Sequence, residues 1–288
     1  MTLTVNIIGA GQVGQTLGHL LVKHQLVGIA GICNRTASST KAAIQFIGAG
    51  LPYSTISALP SADLTLITTP DDLLPQCTLE LANNPSLKPD SIILHCSGIL
   101  SSDALKPLSA KGCLTASVHP MRSFAKPALS VQEFKGTYCA LEGDKAALLL
   151  LGDLFEQMGA ITYELDKSKK STYHPAAVFA SNYLITLSQQ ALTCLQKAGV
   201  EKNMAMQIIT NLMKGAVSNL EHTLSPEESL TGPIRRGDVL TLEKHMAALE
   251  GTQRTLYSVM GKATIDLTSH DNELKELLEK ALTRMVLT

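Results

Sequence analysis

Thr4-Val5-Asn6-Ile7-Ile8-Gly9-Ala10-Gly11-Gln12-Val13-Gly14 runs from an apolar strand through a G-x-G-x-x-G turn, and an apolar-periodic helix follows at once. Strand, glycine turn and helix in that order describe a dinucleotide-binding crossover. Gly9 permits the tight turn, Gly11 lets the backbone approach a pyrophosphate, and Gly14 lets the helix pack closely on the strand. The phosphates then rest on the helix N-terminus. Gly9, Gly11, Gln12, Val13 and Gly14 are therefore candidate cofactor contacts.

The next apolar run, Val27 to Cys33, ends in Asn34-Arg35-Thr36 and not in an acidic residue. An Asp or Glu at this place accepts hydrogen bonds from the ribose 2′-hydroxyl of NAD, and its charge repels a 2′-phosphate. Here Arg35 offers a planar charged fork, and Thr36, Ser38 and Ser39 offer hydroxyls. This pattern points to NADP, with Asn34, Arg35 and Thr36 as contacts. The competing structural reading makes Asn34 a helix cap and Arg35 a solvated loop residue.

At 288 residues the chain is long enough for two domains. Lys plus Arg number 24 against 25 for Asp plus Glu, a balance that supplies no footprint for nucleic acid and no polybasic surface for lipid. A small-molecule partner is expected. The six cysteines form no C-x-x-C pair, which suits packed thiols in a reducing cytoplasm. The first apolar stretch lacks a basic leader and reads as the first strand and helix of the nucleotide fold. Ser171 to Gln196 carries no Asp, Glu, Lys or Arg. Pro175, Asn182, Ser188, Gln189 and Gln190 within it argue for a helix buried in protein and not in a membrane.

Strands and helices alternate to about Leu165. Further strands are expected at 63–68, 91–95, 115–118, 136–141 and 161–165, with a helix over 71–82 and another over 144–158 whose N-cap is Asp144. After Asp166 the strand-like runs stop. Helices are expected over 175–197, 203–222, 238–249, 252–265 and 272–286, with 223–237 as a long loop. The fold class is therefore α/β, a Rossmann-like doubly wound sheet over residues 1–166, followed by an all-α domain over residues 167–288.

Ligands of such sheets bind beyond the carboxyl ends of the strands, so Thr69 and Pro70, and Ser97 after His95-Cys96, should border the cofactor. His119 follows the next strand. Ser97 and His119 either touch a substrate over the nicotinamide or serve the loop, Ser97 capping a turn and His119 bonding a carbonyl. In Tyr173-His174-Pro175, the proline suits a first helical turn. On a regular helix His174 and Asn182 lie roughly 80° apart around the axis and about 12 Å along it, enough to hold opposite ends of a small substrate. Asn182 with Ser181 also has a structural reading, bonding between helices in the core. In Gly232-Pro233-Ile234-Arg235-Arg236-Gly237-Asp238, an arginine can bind a substrate carboxylate bidentately. Otherwise Asp238 caps the next helix and the arginines form surface ion pairs. No spacing resembles a zinc site and no G-x-S-x-G elbow is present, so neither a metal nor a serine hydrolase is expected.

On these segments, above all Tyr173-His174-Pro175-Ala176-Ala177 with Ser181-Asn182-Tyr183 and Leu230 to Pro233 with Arg236-Gly237-Asp238, the chain resembles a two-domain family. That family joins a Rossmann-like NADP domain to a helical domain of formerly unknown function (DUF2520) and is related to the 6-phosphogluconate dehydrogenase superfamily. Some members are similar to an alternative ketopantoate reductase, which implies reduction of 2-dehydropantoate to pantoate for coenzyme A synthesis. Relatives place a Lys before an Asn on the first long helix as proton donor. This chain has Val178 and His174 at the corresponding helical steps before Asn182.

His174 is accordingly the candidate proton donor, with Lys170 able to reach in from the domain junction. Asn182, Ser97 and His119 orient the carbonyl, and Arg236, beside Asp238, binds the carboxylate. The alternatives are an imine reductase of the pyrroline-5-carboxylate reductase type and a non-catalytic NADP-binding module. The apolar helix 176–195 exceeds what a small helical domain buries, which predicts a homodimer.

Overall fold

The computed structural model describes residues 2–283. Its sheet has eight strands, β1 (Leu3–Ile8), β2 (Val27–Cys33), β3 (Leu51–Tyr53), β4 (Leu64–Ile67), β5 (Ile92–His95), β6 (Leu114–Pro120), β7 (Tyr138–Gly143) and β8 (Ile161–Glu164). Their spatial order is β3-β2-β1-β4-β5-β6-β7-β8. All neighbours are parallel except β6 and β7. The order reverses between β1 and β4, which opens a crevice beyond the carboxyl ends of the central strands.

The apolar runs are continuous because both sheet faces are covered. Val5, Ile7, Leu64, Leu66, Ile92 and Leu94 pack on one side with Leu17, Leu20, Leu151 and Phe155. The alternate residues Ile8, Ile67 and Ile93 pack on the other with Leu74, Leu81 and Leu105. The doubly wound α/β fold expected from the sequence is thus the one observed. Strand β3 was not foreseen, being three residues long with Pro52 at its centre and Leu51 exposed.

By contact the chain divides into Met1–Tyr183 and Leu184–Thr288, further along than the junction expected after residue 166. Residues just past 166 stay with the sheet because the Lys170 side chain is buried there, 2% exposed. The helix predicted to begin at Pro175 begins instead at Lys170 and runs to Ala177, so Pro175 is interior. A π-helical turn, Val178–Asn182, precedes the helix Tyr183–Lys197. Proline removes a main-chain donor and crowds the preceding turn, and a one-residue widening is a common accommodation. Within the single chain this region is not buried: Phe179 is 68% and Ile185 71% exposed.

Asp144 does stand at the N-cap of Lys145–Gln157 but makes no side-chain cap bond. Its carboxylate accepts from the Thr115 N–H at 2.6 Å and ties the helix to β6 instead. Leu184–Thr288 contains the helices Lys202–Thr223, Val239–Ala248, Gly251–Ile265 and Asn272–Thr283; the last was expected to reach residue 286, outside the described residues. The expected long loop holds two short helices, Pro226–Ser229 and Pro233–Arg236, each opening on a proline at its first turn. Leu242, Met246, Ile265, Leu278 and Leu282 form the core of this unit. No helix among the described residues is long and apolar enough to cross a membrane.

Candidate active site

The glycine turn separates into two filled positions and one open position. A Cβ on Gly9, whose φ is +77°, would meet Thr69 Cγ2 at 2.5 Å, and one on Gly14 would strike Thr68 Oγ1. At Gly11 the nearest atom is Gly9 O, 3.9 Å away. Gly9 and Gly14 are thus required by the protein's own packing, whereas Gly11 leaves space of the kind a pyrophosphate takes. The following helix, Gln12–Lys23, has Gly11 at its N-cap and no side-chain cap bond, so the leading N–H groups of Gln12, Val13 and Gly14 form an anion-binding end.

Asn34 supports this turn. Its carboxamide oxygen accepts from the Ala10 N–H at 2.6 Å, joining the end of β2 to the glycine loop 24 residues earlier. Thr36 caps the helix Ala37–Ile47 by accepting from the Ser39 N–H at 3.2 Å. Both residues predicted to touch cofactor therefore carry local structural duties. Arg35 is exposed and lines a cleft of about 290 Å³ with Gly9, Thr55, Thr69 and Gln76. Thr68 donates to Gly9 O at 2.8 Å, which sets Thr69 and Pro70 beside the turn.

At the ends of β5 and β6 the side chains converge. Ser97 Oγ accepts from the N–H groups of Ile99 (3.2 Å) and Leu100 (2.9 Å) and so caps the turn. His95 Nδ1 accepts from the Ser97 N–H at 3.1 Å, and its Nε2 faces Ser101 O at 3.1 Å. Burial, with the positive Lys170 nearby, pulls the His95 pKa down to about 4. Gly98 admits two imidazoles: a Cβ there would strike His174 Nδ1 and stand 2.8 Å from His119 Nε2. The two rings meet edge to face with centroids 5.6 Å apart. His174 Nδ1 is buried and has no hydrogen-bond partner. His119 Nδ1 pairs with the Tyr173 hydroxyl at 3.0 Å. Burial, then His174 and Lys170, lowers the His119 pKa to about 4, and burial raises that of Tyr173.

Lys170 is not the mobile donor that a junction residue suggested. Its ammonium donates to Ser97 O (2.9 Å), Ser117 Oγ (2.5 Å) and Glu142 Oε1 (3.4 Å), so all three hydrogens are engaged. Glu142 in turn accepts from the Ser102 N–H and hydroxyl at 2.8 and 2.7 Å. Burial lowers the Lys170 pKa, and Glu142 opposes the shift. One helical turn beyond Lys170 on the same face stands His174.

Asn182 closes the π-helical turn, so its spacing from His174 departs from the regular-helix estimate. Arg236 lies in the second unit, where its guanidinium pairs with the Asp238 carboxylate at 2.8 Å. Asp238 occupies the N-cap position of Val239–Ala248 without a side-chain cap bond. Among the described residues no group of three His, Cys, Asp or Glu converges as metal ligands do. Sequence reasoning assigned no role to Tyr163, Tyr173 or Glu142. The signal for Tyr163 was its place within a short strand, and β-sheet alternation alone does not say which face it takes.

Two family models match the chain: a Rossmann-like domain over residues 1–120 and the domain of unknown function DUF2520 over residues 137–264. The protein thus pairs a Rossmann-like domain with a DUF2520 domain. No curated protein matches it. Among solved structures, protein BF3122 of Bacteroides fragilis, named provisionally as an NADP oxidoreductase, is 19% identical, with a TM-score of 0.76 over 92% of this chain and 98% of that one. Protein TM1727 of Thermotoga maritima is 25% identical, with a TM-score of 0.65 over 96% and 98%. An imine reductase variant of Myxococcus stipitatus, in complex with NAD+, is 14% identical, with a TM-score of 0.64 over 98% and 100%.

Proposed function

We propose that the protein is an NADPH-dependent oxidoreductase that reduces a polarised double bond of a small molecule, with ketopantoate as the first substrate to test. The observation that carries the cofactor half is the open space at Gly11 between two filled glycine positions, in front of an uncapped helix N-terminus. Gly11, Gln12, Val13 and Gly14 would hold the pyrophosphate, Thr69 and Pro70 would border it, and Arg35 would pair with the 2′-phosphate, which no carboxylate at the end of β2 opposes. NADPH supplies a hydride when bound.

The chain's own contribution is the proton and the orientation. Hydride addition leaves negative charge on the substrate heteroatom, and His174, one helical turn beyond the anchored Lys170, would protonate it. The orphaned Nδ1 of His174 supports a polar ligand there, since a buried imidazole nitrogen without a partner costs about 1–3 kcal/mol. Asn182 would orient the substrate from the π-helical turn, a distortion frequent at functional sites. Consumption of NADPH with ketopantoate, lost on His174→Ala while NADPH binding persists, is the expected result; no consumption would remove the assignment.

Imine reduction is the second reading, favoured by the engagement of Lys170 by Ser97, Ser117 and Glu142 and by the fold shared with an imine reductase. An iminium already carries its proton and needs no lysine. Turnover of pyrroline-5-carboxylate but not of ketopantoate would select it.

The exposed Ile185, Leu212 and Leu224, at 71%, 67% and 87%, support a homodimer through the helical unit. Covering each such side chain is worth about 1.5–3 kcal/mol. Light scattering at micromolar concentration should give twice the chain mass.

A further inference from the structure

We propose that Tyr163, Tyr173 and His119 form a proton relay that carries a proton from solvent to His174 after each reduction. The inference rests on the reductase reading above. Its geometric basis is a row across three strands. His119 on β6 pairs with Ala140 on β7, and Ala140 pairs with Tyr163 on β8. Directly paired residues project to the same sheet face. Two long side chains therefore flank a single methyl group, and the Tyr173 hydroxyl spans the gap: it receives a hydrogen bond from the Tyr163 hydroxyl at 3.3 Å and meets His119 Nδ1 at 3.0 Å. Since Tyr163 donates into Tyr173, the remaining hydroxyl hydrogen of Tyr173 is directed to His119 Nδ1. That bond leaves His119 with its hydrogen on Nε2.

The outer end of the row reaches solvent, Tyr163 being 36% exposed. The inner end stops at Gly98, where His119 Nε2 and the unpartnered His174 Nδ1 both lie within 2.8 Å of the point a Cβ would occupy. A small rotation of either ring closes that span.

Proton transfer balances along the row. His174, as the imidazolium, gives its Nδ1 hydrogen to the substrate heteroatom and keeps the one on Nε2; once the product has left, His119 Nε2–H passes its hydrogen to the vacated Nδ1. His119 Nδ1 takes the hydrogen of Tyr173, Tyr173 takes that of Tyr163, and Tyr163 takes one from a solvent hydronium. Each relay member ends neutral, with His119 as the Nδ1–H tautomer; a flip of the His119 ring and rotation of the two hydroxyls restore the starting row before the next reduction, and one solvent proton is consumed per reduction. The weak basicity of His119 agrees with a group that passes a proton without storing it.

The test uses Tyr163→Phe, which removes one hydroxyl and keeps the ring, in the full chain. With NADPH and ketopantoate or pyrroline-5-carboxylate, kcat should fall roughly tenfold in weak buffer with KM unchanged, short of the 10²–10⁴ typical of losing a general acid. Added imidazole should restore it, because a small buffer replaces a missing relay but not a missing packing contact. Independently of turnover, nitrogen NMR of labelled histidine at pH 7 should show His119 as the Nε2–H tautomer, redistributed by Tyr173→Phe. An unchanged kcat in Tyr163→Phe, a loss that imidazole does not rescue, or an Nδ1–H tautomer in the parent protein would overturn the relay. If neither substrate turns over while NADPH binds, the reductase reading fails and the relay with it, whereas turnover that Tyr163→Phe leaves intact removes the relay alone.

Discussion

The Lys170 ammonium and the Glu142 carboxylate face each other at 3.4 Å with side chains only 3% and 5% exposed. Their pairing joins the first turn of a helix to the penultimate residue of β7 and, through Ser97 O, to the loop that receives His174. Lys170→Met leaves a buried carboxylate with Ser102 as its remaining donor. The expected cost is about 3–5 kcal/mol in urea unfolding, the price of an orphaned internal charge. Lys170→Met with Glu142→Gln should recover more than half of that loss, because the second change removes the charge.

The glycine turn predicts opposite outcomes at two neighbouring positions. Gly14→Ala drives a methyl into Thr68 Oγ1 and should destabilise the fold by about 1–3 kcal/mol. Gly11→Ala meets no such obstacle and should leave the thermal midpoint within roughly 2 °C, while NADPH affinity by calorimetry falls at least about tenfold. Equal stability loss in both variants would contradict the division.

Arg35 offers a direct test of coenzyme choice. Arg35→Ala should weaken NADPH binding by about 1.5–3 kcal/mol, the range for a charge-assisted hydrogen bond, and leave NADH binding nearly unchanged. A parallel loss for both coenzymes would place Arg35 away from the 2′-phosphate.

Acid should destabilise this protein before its carboxylates titrate. His95 is 1% exposed, and its pKa falls from 6.5 to about 4 on folding. The unfolded chain therefore takes up a proton that the folded chain refuses, so stability present above pH 6.5 is lost as the pH falls toward 4. His95 alone should remove about 2 kcal/mol between pH 7 and pH 5. Urea midpoints for the parent and His95→Gln should converge over this interval, the variant being less dependent on pH.

Much of the architecture was legible because its causes are local. The strand, glycine turn and helix of residues 4–14 need only their neighbours to be recognised, and so do apolar runs such as Ile92–Leu94, which both covered faces of a parallel sheet require. The same locality misled at Pro175: an apolar segment with a proline near its start reads as a helix beginning there, whereas the anchor that starts the helix earlier is Glu142, 28 residues upstream of Lys170.

The sequence by itself determined the sheet class, the nucleotide-binding turn and the absence of an acid at the end of β2, since these follow from residue type and short spacing. Tertiary structure alone decided that Lys170 is consumed by Ser97, Ser117 and Glu142, that Asn34 holds the glycine loop, and that His119 reaches Tyr173 across 54 residues. The physical reason is range. Backbone geometry and hydrophobic periodicity act over a few residues, while the hydrogen bonds and desolvation that set a side chain's chemistry depend on whichever distant atoms the completed sheet brings beside it.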